Sequence, residues 1–184
     1  MNLQPTPLES CFIIEPKVFG DERGYFFESF NQQKFYDLTG CNTIFVQDNQ
    51  SYSTKGVLRG LHFQKGESAQ AKLVRVIKGE VLDVAVDLQA GSKTYGEHFS
   101  LKISEKNNLQ LFIPKGFAHG FIVLSDDAIF QYKCDNYYDK AAEGGIHYAD
   151  PDISIDWILP HDKLIVSDKD LELPFFAKAG DFGF

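Results

Sequence analysis

Residues 73–88 read LVRVIKGEVLDVAVDL, two apolar runs joined at Lys78-Gly79-Glu80. In the second run Leu82, Val84, Val86 and Leu88 fall on one face, while Asp83 and Asp87 fall on the other. That period of two predicts a strand with its aliphatic face buried. The Lys-Gly-Glu junction predicts a hairpin.

The pattern extends in both directions. HFSLKISEKNNLQLFIPKG (98–116) holds two runs across the polar turn 104–108, and GFIVLSDDAIFQYKC (120–134) repeats it around Ser125-Asp126-Asp127. Earlier runs at Cys11–Ile14, Tyr25–Phe27 and Thr43–Gln47 read as further strands. FNQQKFYDLTG (30–40) predicts a short helix, with Asn31 near the N-cap and Gly40 beyond the end. From Asp150 to Pro174 the chain is acidic and stopped by Pro160 and Pro174, which predicts a tail wrapping the surface in short turns. Many short strands with closely spaced turn signals predict an all-β, double-sheet jelly roll with short peripheral helices, one domain over residues 1–184.

Composition narrows the function. The chain has 184 residues, 43% hydrophobic, with 17 Phe and 8 Tyr, enough for one real core. A formal charge of −8 without a basic block opposes a phosphate-backbone partner, so no nucleic acid is expected. A few focused arginines still suit a small anion. Cys11, Cys41 and Cys134 are scattered and odd in number, which predicts no disulfide framework and a reducing, cytoplasmic setting. The N-terminal MNLQPTPLESC lacks the pattern of a signal peptide, and no run of ~20 apolar residues predicts a membrane span.

Four stretches carry polar side chains that burial alone does not explain: FGDERGYFFESF (19–30), VQDNQSYSTKGVLRGLHFQ (46–64), IPKGFAHGFIVL (113–124) and FQYKCDNYY (130–138). In KGVLRGLHFQ (55–64), strict alternation puts His62 with Leu58, Gly60 and Gln64, and Arg59 on the opposite face. For Arg59 and His62 to serve one pocket, a bulge must break the period, and Gly60 is the place for it. Taken alone, His62 reads more readily as a satisfied structural histidine, Arg23 as a solvated turn residue, Lys72 as a solvated lysine at a strand start and Tyr132 as a core or rim aromatic.

PKGFAH resembles the second motif of the cupin superfamily. The first cupin motif supplies two histidines one residue apart; here that place reads His62-Phe63-Gln64. An amide is a poor substitute for imidazole, so no metal is expected. Together, DERGYFFESF, QDNQSYSTKGVLRGLHFQ, AKLVRVIKGEVLDVAVD, PKGFAHGF, FQYKCDNYY and DPDISIDW resemble the dTDP-4-dehydrorhamnose 3,5-epimerases of the dTDP-L-rhamnose pathway, in order, from about residue 10 to about residue 174. The last ten residues, FFAKAGDFGF, look particular to this chain.

The resemblance implies a cupin-like jelly roll that inverts the two carbons flanking a ketone in a dTDP-4-keto-6-deoxyhexose. Proton removal, an enolate and proton return need no cofactor, and the chain lacks a Gly-rich dinucleotide fingerprint. The resemblance makes His62 the base, paired with Asp170 or its neighbour Asp168. Lys72 becomes the cation facing the enolate oxygen, although Ala71 precedes it where the family usually has glycine. Tyr132 becomes the acid and Tyr138 the aromatic stacked on thymine. Arg23, Arg59 and His119 are the anion-handling matches; Phe26, Glu28, Gln47 and Asn49 resemble nucleoside or sugar contacts. It also implies a homodimer in which the N-terminal strand region, about residues 1–30, joins the partner. Two other outcomes stay open on sequence grounds: epimerisation of one carbon or ketone isomerisation, and a non-catalytic nucleotide-sugar module.

Overall fold

A computed structural model describes residues 1–178 and 182–184. The first part of the chain forms β1 (Asn2–Pro5), β2 (Phe12–Glu15), β3 (Phe19–Asp21), β4 (Gly24–Phe26), helix α1 (Gln32–Thr39) and β5 (Gln47–Thr54). The centre forms β6 (Val57–Gln64), β7 (Lys72–Lys78), β8 (Glu80–Asp87), β9 (His98–Ser104), β10 (Gln110–Ile113), β11 (Phe117–Val123) and β12 (Asp127–Cys134). Short elements close the chain: β13 (Glu143–Gly145), β14 (Ile165–Val166) and helix α2 (Asp168–Leu171). One sheet runs β1-β2-β10-β7-β12-β5 and the other β13-β6-β11-β8-β9, with β14 beside β6; β3 and β4 form a separate hairpin. This is the cupin-like jelly roll.

The junction at residues 78–80 is not a hairpin. β7 pairs with β10 and β12 in the first sheet, whereas β8 pairs with β9 and β11 in the second. Gly79, at φ 82°, carries the chain from one sheet to the other. The turn before β12 packs directly against it: Glu80 N–H donates to Ser125 Oγ at 2.8 Å, and Ser125 Oγ donates to the Asp127 carbonyl at 2.6 Å. The steps β5 to β6, β9 to β10 and β11 to β12 change sheet in the same way. A two-residue apolar period specifies a strand but not its neighbour.

Burial follows from this layering. Val74, Val76, Val81, Ala85, Leu111 and Phe130 meet between the sheets. The outer face of the second sheet is also covered, because Leu82, Val84 and Val86 pack against Ile153, Tyr148 and Trp157. So β8 is buried on both faces, and the face carrying Asp83 and Asp87 points inward rather than to water. The tail wraps the surface as expected, yet it also supplies core side chains. Phe182 and Phe184 stack edge-on against Phe63, each at 5.7 Å, and residues 179–181 of the distinctive terminus lie outside the described residues.

Helix α1 forms where its caps predict. The Asn31 side chain accepts from Lys34 N–H, and Gly40, at φ 68°, returns its N–H to the Tyr36 carbonyl. Only Phe35 is buried on it, against Phe112 and Phe45. The strand expected over Thr43–Gln47 starts at Gln47 instead, with Val46 N–H still donating to the Cys134 carbonyl at 2.9 Å; Phe45 is committed to packing on Phe30 and Phe35. All three cysteines are free thiols. Among the described residues no helix is long and apolar enough to cross a membrane.

A Cβ at Gly79 would sit 2.1 Å from the Asp127 carbonyl oxygen, on backbone that L residues rarely adopt. Gly79→Ala is expected to destabilise the fold by about 2–4 kcal/mol, read by urea unfolding. Wild-type stability in that variant would show that the crossovers are not locked together.

Candidate active site

β6 opposes β11 with His62 across from His119 and Arg59 across from Phe121. Two residues of β6, Gly60 and Leu61, therefore stand against the single Gly120, so the expected bulge is present. Glycine is required there: at Gly60 (φ 119°) a Cβ would lie 2.7 Å from Gly120 Cα. The extra residue resets the strand's phase and turns Arg59 and His62 into one cavity. It also releases Gly60 N–H from the ladder, and Asp170 Oδ2 accepts it at 3.2 Å.

The cavity, about 760 Å³, opens between the sheets. Gln47, Asn49, Tyr132 and Lys72 come from the first sheet, while Arg59, His62 and His119 come from the second. His62 and Tyr132 thus stand on facing walls. Behind them the Phe121 and Phe130 rings stack at 4.2 Å, and Phe130 lies 6.0 Å from His119 and 6.1 Å from Tyr132. This stack is the boundary between apolar core and polar cavity.

His62 Nε2 and Asp170 Oδ1 are 2.7 Å apart. A carboxylate there accepts a hydrogen bond from Nε2–H, which leaves the lone pair on Nδ1. Asp170 is buried on α2, whose first turn is capped by Ser167 Oγ, while Asp168 is exposed; the ambiguity between the two aspartates falls to Asp170. Burial works to raise the Asp170 pKa, but the hydrogen bond and charge of His62, with Gly60 N–H and Ser167, hold it below the usual carboxylate range. Lys72 is buried with no direct anion partner among the described residues, and desolvation lowers its pKa against the charges of Cys134, Asp83 and Glu143. Its ammonium lies 6.0 Å from the Tyr132 ring centre. Burial raises the Tyr132 phenol, Cys134 adds to this and Arg59 opposes it. His119 Nε2 meets Asp83 Oδ2 at 2.8 Å, and desolvation pulls that imidazole down.

Arg59 is aimed by Ser53 Oγ, which accepts from its Nε at 3.1 Å. At the mouth, Tyr138 donates from its hydroxyl to Glu143 at 2.9 Å and from its backbone N–H to Gln47 Oε1 at 3.1 Å. Lys169 reaches the same Glu143 oxygen at 2.6 Å. Glu143 and Lys169 escape sequence reasoning, since Glu143 sits in the featureless EGG of β13; only the position of Lys169 beside Asp170 hints at it. Gln64, Ser51 and Ser167 also line the cavity.

Arg23, Phe26 and Glu28 are not brought to this cavity. Arg23 is on the exposed tip of the β3–β4 hairpin, paired with Asp21; Glu28 pairs with Lys34; Phe26 is 70% exposed. Among the described residues no three His, Cys, Asp or Glu side chains gather as a metal would require.

The model of a family described as dTDP-4-dehydrorhamnose 3,5-epimerase matches residues 5–178. The chain belongs to that family. A dTDP-4-dehydrorhamnose 3,5-epimerase of Shigella flexneri is 52% identical over 99% of both chains. The crystal structure of an epimerase of the same description from Elizabethkingia anophelis superposes with a TM-score of 0.94 at 55% identity, covering 97% of this chain and 98% of that one. A dTDP-6-deoxy-D-glucose-3,5-epimerase from Legionella pneumophila, holding dTDP-4-keto-L-rhamnose, gives a TM-score of 0.93 at 48% identity over 96% of this chain and 93% of that one. Gln47, Asn49, Arg59, His62, Lys72, His119, Tyr132, Tyr138 and Asp170 all line the epimerase-family cavity.

Because the folded Asp170 is held below its ordinary value, its pairing stabilises the protein above about pH 4 and is lost as pH falls through the folded value. Asp170→Asn is expected to unfold at lower urea than wild type at pH 7, with the gap narrowing below pH ~4. A gap that is constant with pH would mean the carboxylate charge is not what holds His62.

Proposed function

We infer that the chain inverts C3 and C5 of dTDP-4-dehydro-6-deoxy-D-glucose to give dTDP-4-dehydro-L-rhamnose, with His62 as base and Tyr132 as acid. The observation that carries this reading is the facing of the His62–Asp170 pair and a protonated Tyr132 across one cavity, with the buried Lys72 amine on the Tyr132 wall. Two inversions beside a ketone need a proton taken from one face and another given to the opposite face.

His62 Nδ1 takes the proton from the carbon next to the carbonyl. The C–H electron pair moves onto the carbonyl oxygen, forming an enolate, and Asp170 steadies the imidazolium. Lys72, itself buried, faces the oxygen's negative charge, and a fixed cation away from water has its greatest effect. Tyr132 then gives its phenolic proton to the carbon from the other wall, and burial keeps that phenol protonated beforehand. His62 releases its proton to water and Tyr132 regains one, so the reaction is an isomerisation without redox change. Arg59 and Lys169 suit the diphosphate, and Tyr138 at the mouth suits the thymine ring. The cavity volume lies in the range of small-molecule sites.

In D2O with the ketosugar as substrate, NMR should show deuterium at both C3 and C5 with inversion at each. Exchange confined to one carbon would replace this reading with a single-carbon epimerase. His62→Ala should slow exchange at both positions about 100-fold or more while dTDP still binds. Tyr132→Phe should keep exchange in recovered substrate and lose inverted product; parallel loss of the two would refute the division of roles.

The protein acts as a homodimer in this reading. Phe19, Tyr25 and Phe26 are 54%, 61% and 70% exposed on the β3–β4 hairpin, an apolar surface that a second copy would cover while Arg23, Phe26 and Glu28 complete the neighbour's pocket. Co-expressing His62→Ala with Arg23→Ala should then restore about a quarter of wild-type activity, since random pairing leaves that share of sites intact. No recovery above the separate variants would place Arg23 outside the active site.

A further inference from the structure

Asp83 is fully buried at the centre of β8, where no sequence motif gives it a role. Its Oδ2 holds His119 Nε2 at 2.8 Å, and its Oδ1 is sealed from solvent without a hydrogen-bond partner among the described residues. A half-satisfied buried carboxylate is costly, and a structural role at this position would be served by an apolar residue. Its surroundings in the core are apolar or thiol: Val81, Ala85, Phe121 and Cys11. Its charge raises the Cys11 thiol, which burial has already pushed up to about 12.

Cations face Asp83 from two strands. His119, on β11, touches Asp83 directly, while Lys72, on β7 in the opposite sheet, feels its charge without touching it, after that of Cys134. Cys134 and Glu143 also face Lys72, the first a buried thiol whose pKa is pushed up to about 11 and the second already engaged by Lys169 and Tyr138. His62 and Lys72 both oppose charge on His119. One buried carboxylate offsets one cation. Asp83 therefore cannot support both His119 and Lys72 as positive, and the ring that gives it a proton in a hydrogen bond stays neutral.

We propose that Asp83 is a positioning residue for enolate formation: it fixes His119 as the neutral Nε2–H tautomer, with Nδ1 turned to accept from a sugar hydroxyl, and it supplies the buried negative charge that keeps Lys72 an ammonium. This rests on the reading of Lys72 as the cation facing the enolate oxygen. His119 then reads a hydroxyl rather than a phosphate, because a neutral imidazole with its proton committed to Asp83 has no donor left for an anion.

The test uses Asp83→Asn, which keeps the shape and removes the charge. Exchange of the substrate protons into D2O should fall about tenfold or more in kcat with KM little changed. Loss of a nearby anion lowers a lysine's pKa, so the alkaline limb of the kcat–pH profile should move about one unit or more toward acid. In a Lys72→Met background, adding Asp83→Asn should produce no further shift of the profile. An Asp83→Asn enzyme that loses kcat with its alkaline limb in place overturns the proposal. Should Lys72→Met retain full exchange, the assignment of Lys72 itself is at fault. If Asp83→Asn does not fold, nitrogen-15 shifts of His119 in the wild-type protein decide the matter: neutral Nε2–H from pH 5.5 to 8 supports the proposal, and an Nδ1–H ring or an imidazolium at neutral pH overturns it.

Discussion

Everything in the site leans on one contact between the sheets, the stacked rings of Phe121 and Phe130. Phe121 belongs to β11 and Phe130 to β12, so the stack fixes the spacing of the two walls. Buried aromatic faces of this size remove much apolar area from water, and ring geometry constrains their separation. On the core side lie the aliphatic side chains of β7, β8 and β10; on the other side His119 and Tyr132 rest close to Phe130. Proton chemistry from opposite faces needs two walls at a set distance, and an aromatic pair is a stiff way to hold them.

The second constraint is electrostatic. The cavity contains carboxylates, imidazoles and an ammonium in surroundings that penalise any isolated charge. Each imidazole is matched to an aspartate from a different part of the chain: His62 to Asp170 on the tail, and His119 to Asp83 in the central strand. The Asp170 pairing ties the tail's docking to the orientation of His62. The same tail fills the outer face of the second sheet with Ile153, Tyr148 and Trp157, so the packing that covers β8 also delivers the carboxylate. Stability and activity are coupled through residues 146–171 for this reason.

Strand content was legible because alternation is a local property: β8, β9, β11 and β12 lie where the apolar period puts them. Helix α1 was legible through Asn31 and Gly40, whose capping roles are set by their own backbone and side-chain chemistry. The site residues on β5, β6, β7, β11 and β12 were reached by motif resemblance, and the cavity gathers nine of the twelve. Arg23 and Phe26 on the β3–β4 hairpin, and Glu28 just after it, were not gathered, since that hairpin pairs with neither of the two main sheets. Glu143 left no signal, and Lys169 only its place beside Asp170, because their meeting joins two short elements distant in sequence.

The chain by itself determined that it is built of strands, which faces of them are apolar, where its helix begins and ends, and which family it resembles. Those properties follow from side chains and backbone within a few residues of one another. Tertiary structure alone decided that residues 78–80 cross between sheets, that Asp83 and Asp87 face inward, and that Asp170 rather than Asp168 meets His62. Each of these depends on which distant strand or helix lies alongside, and a periodic pattern carries no record of its partner.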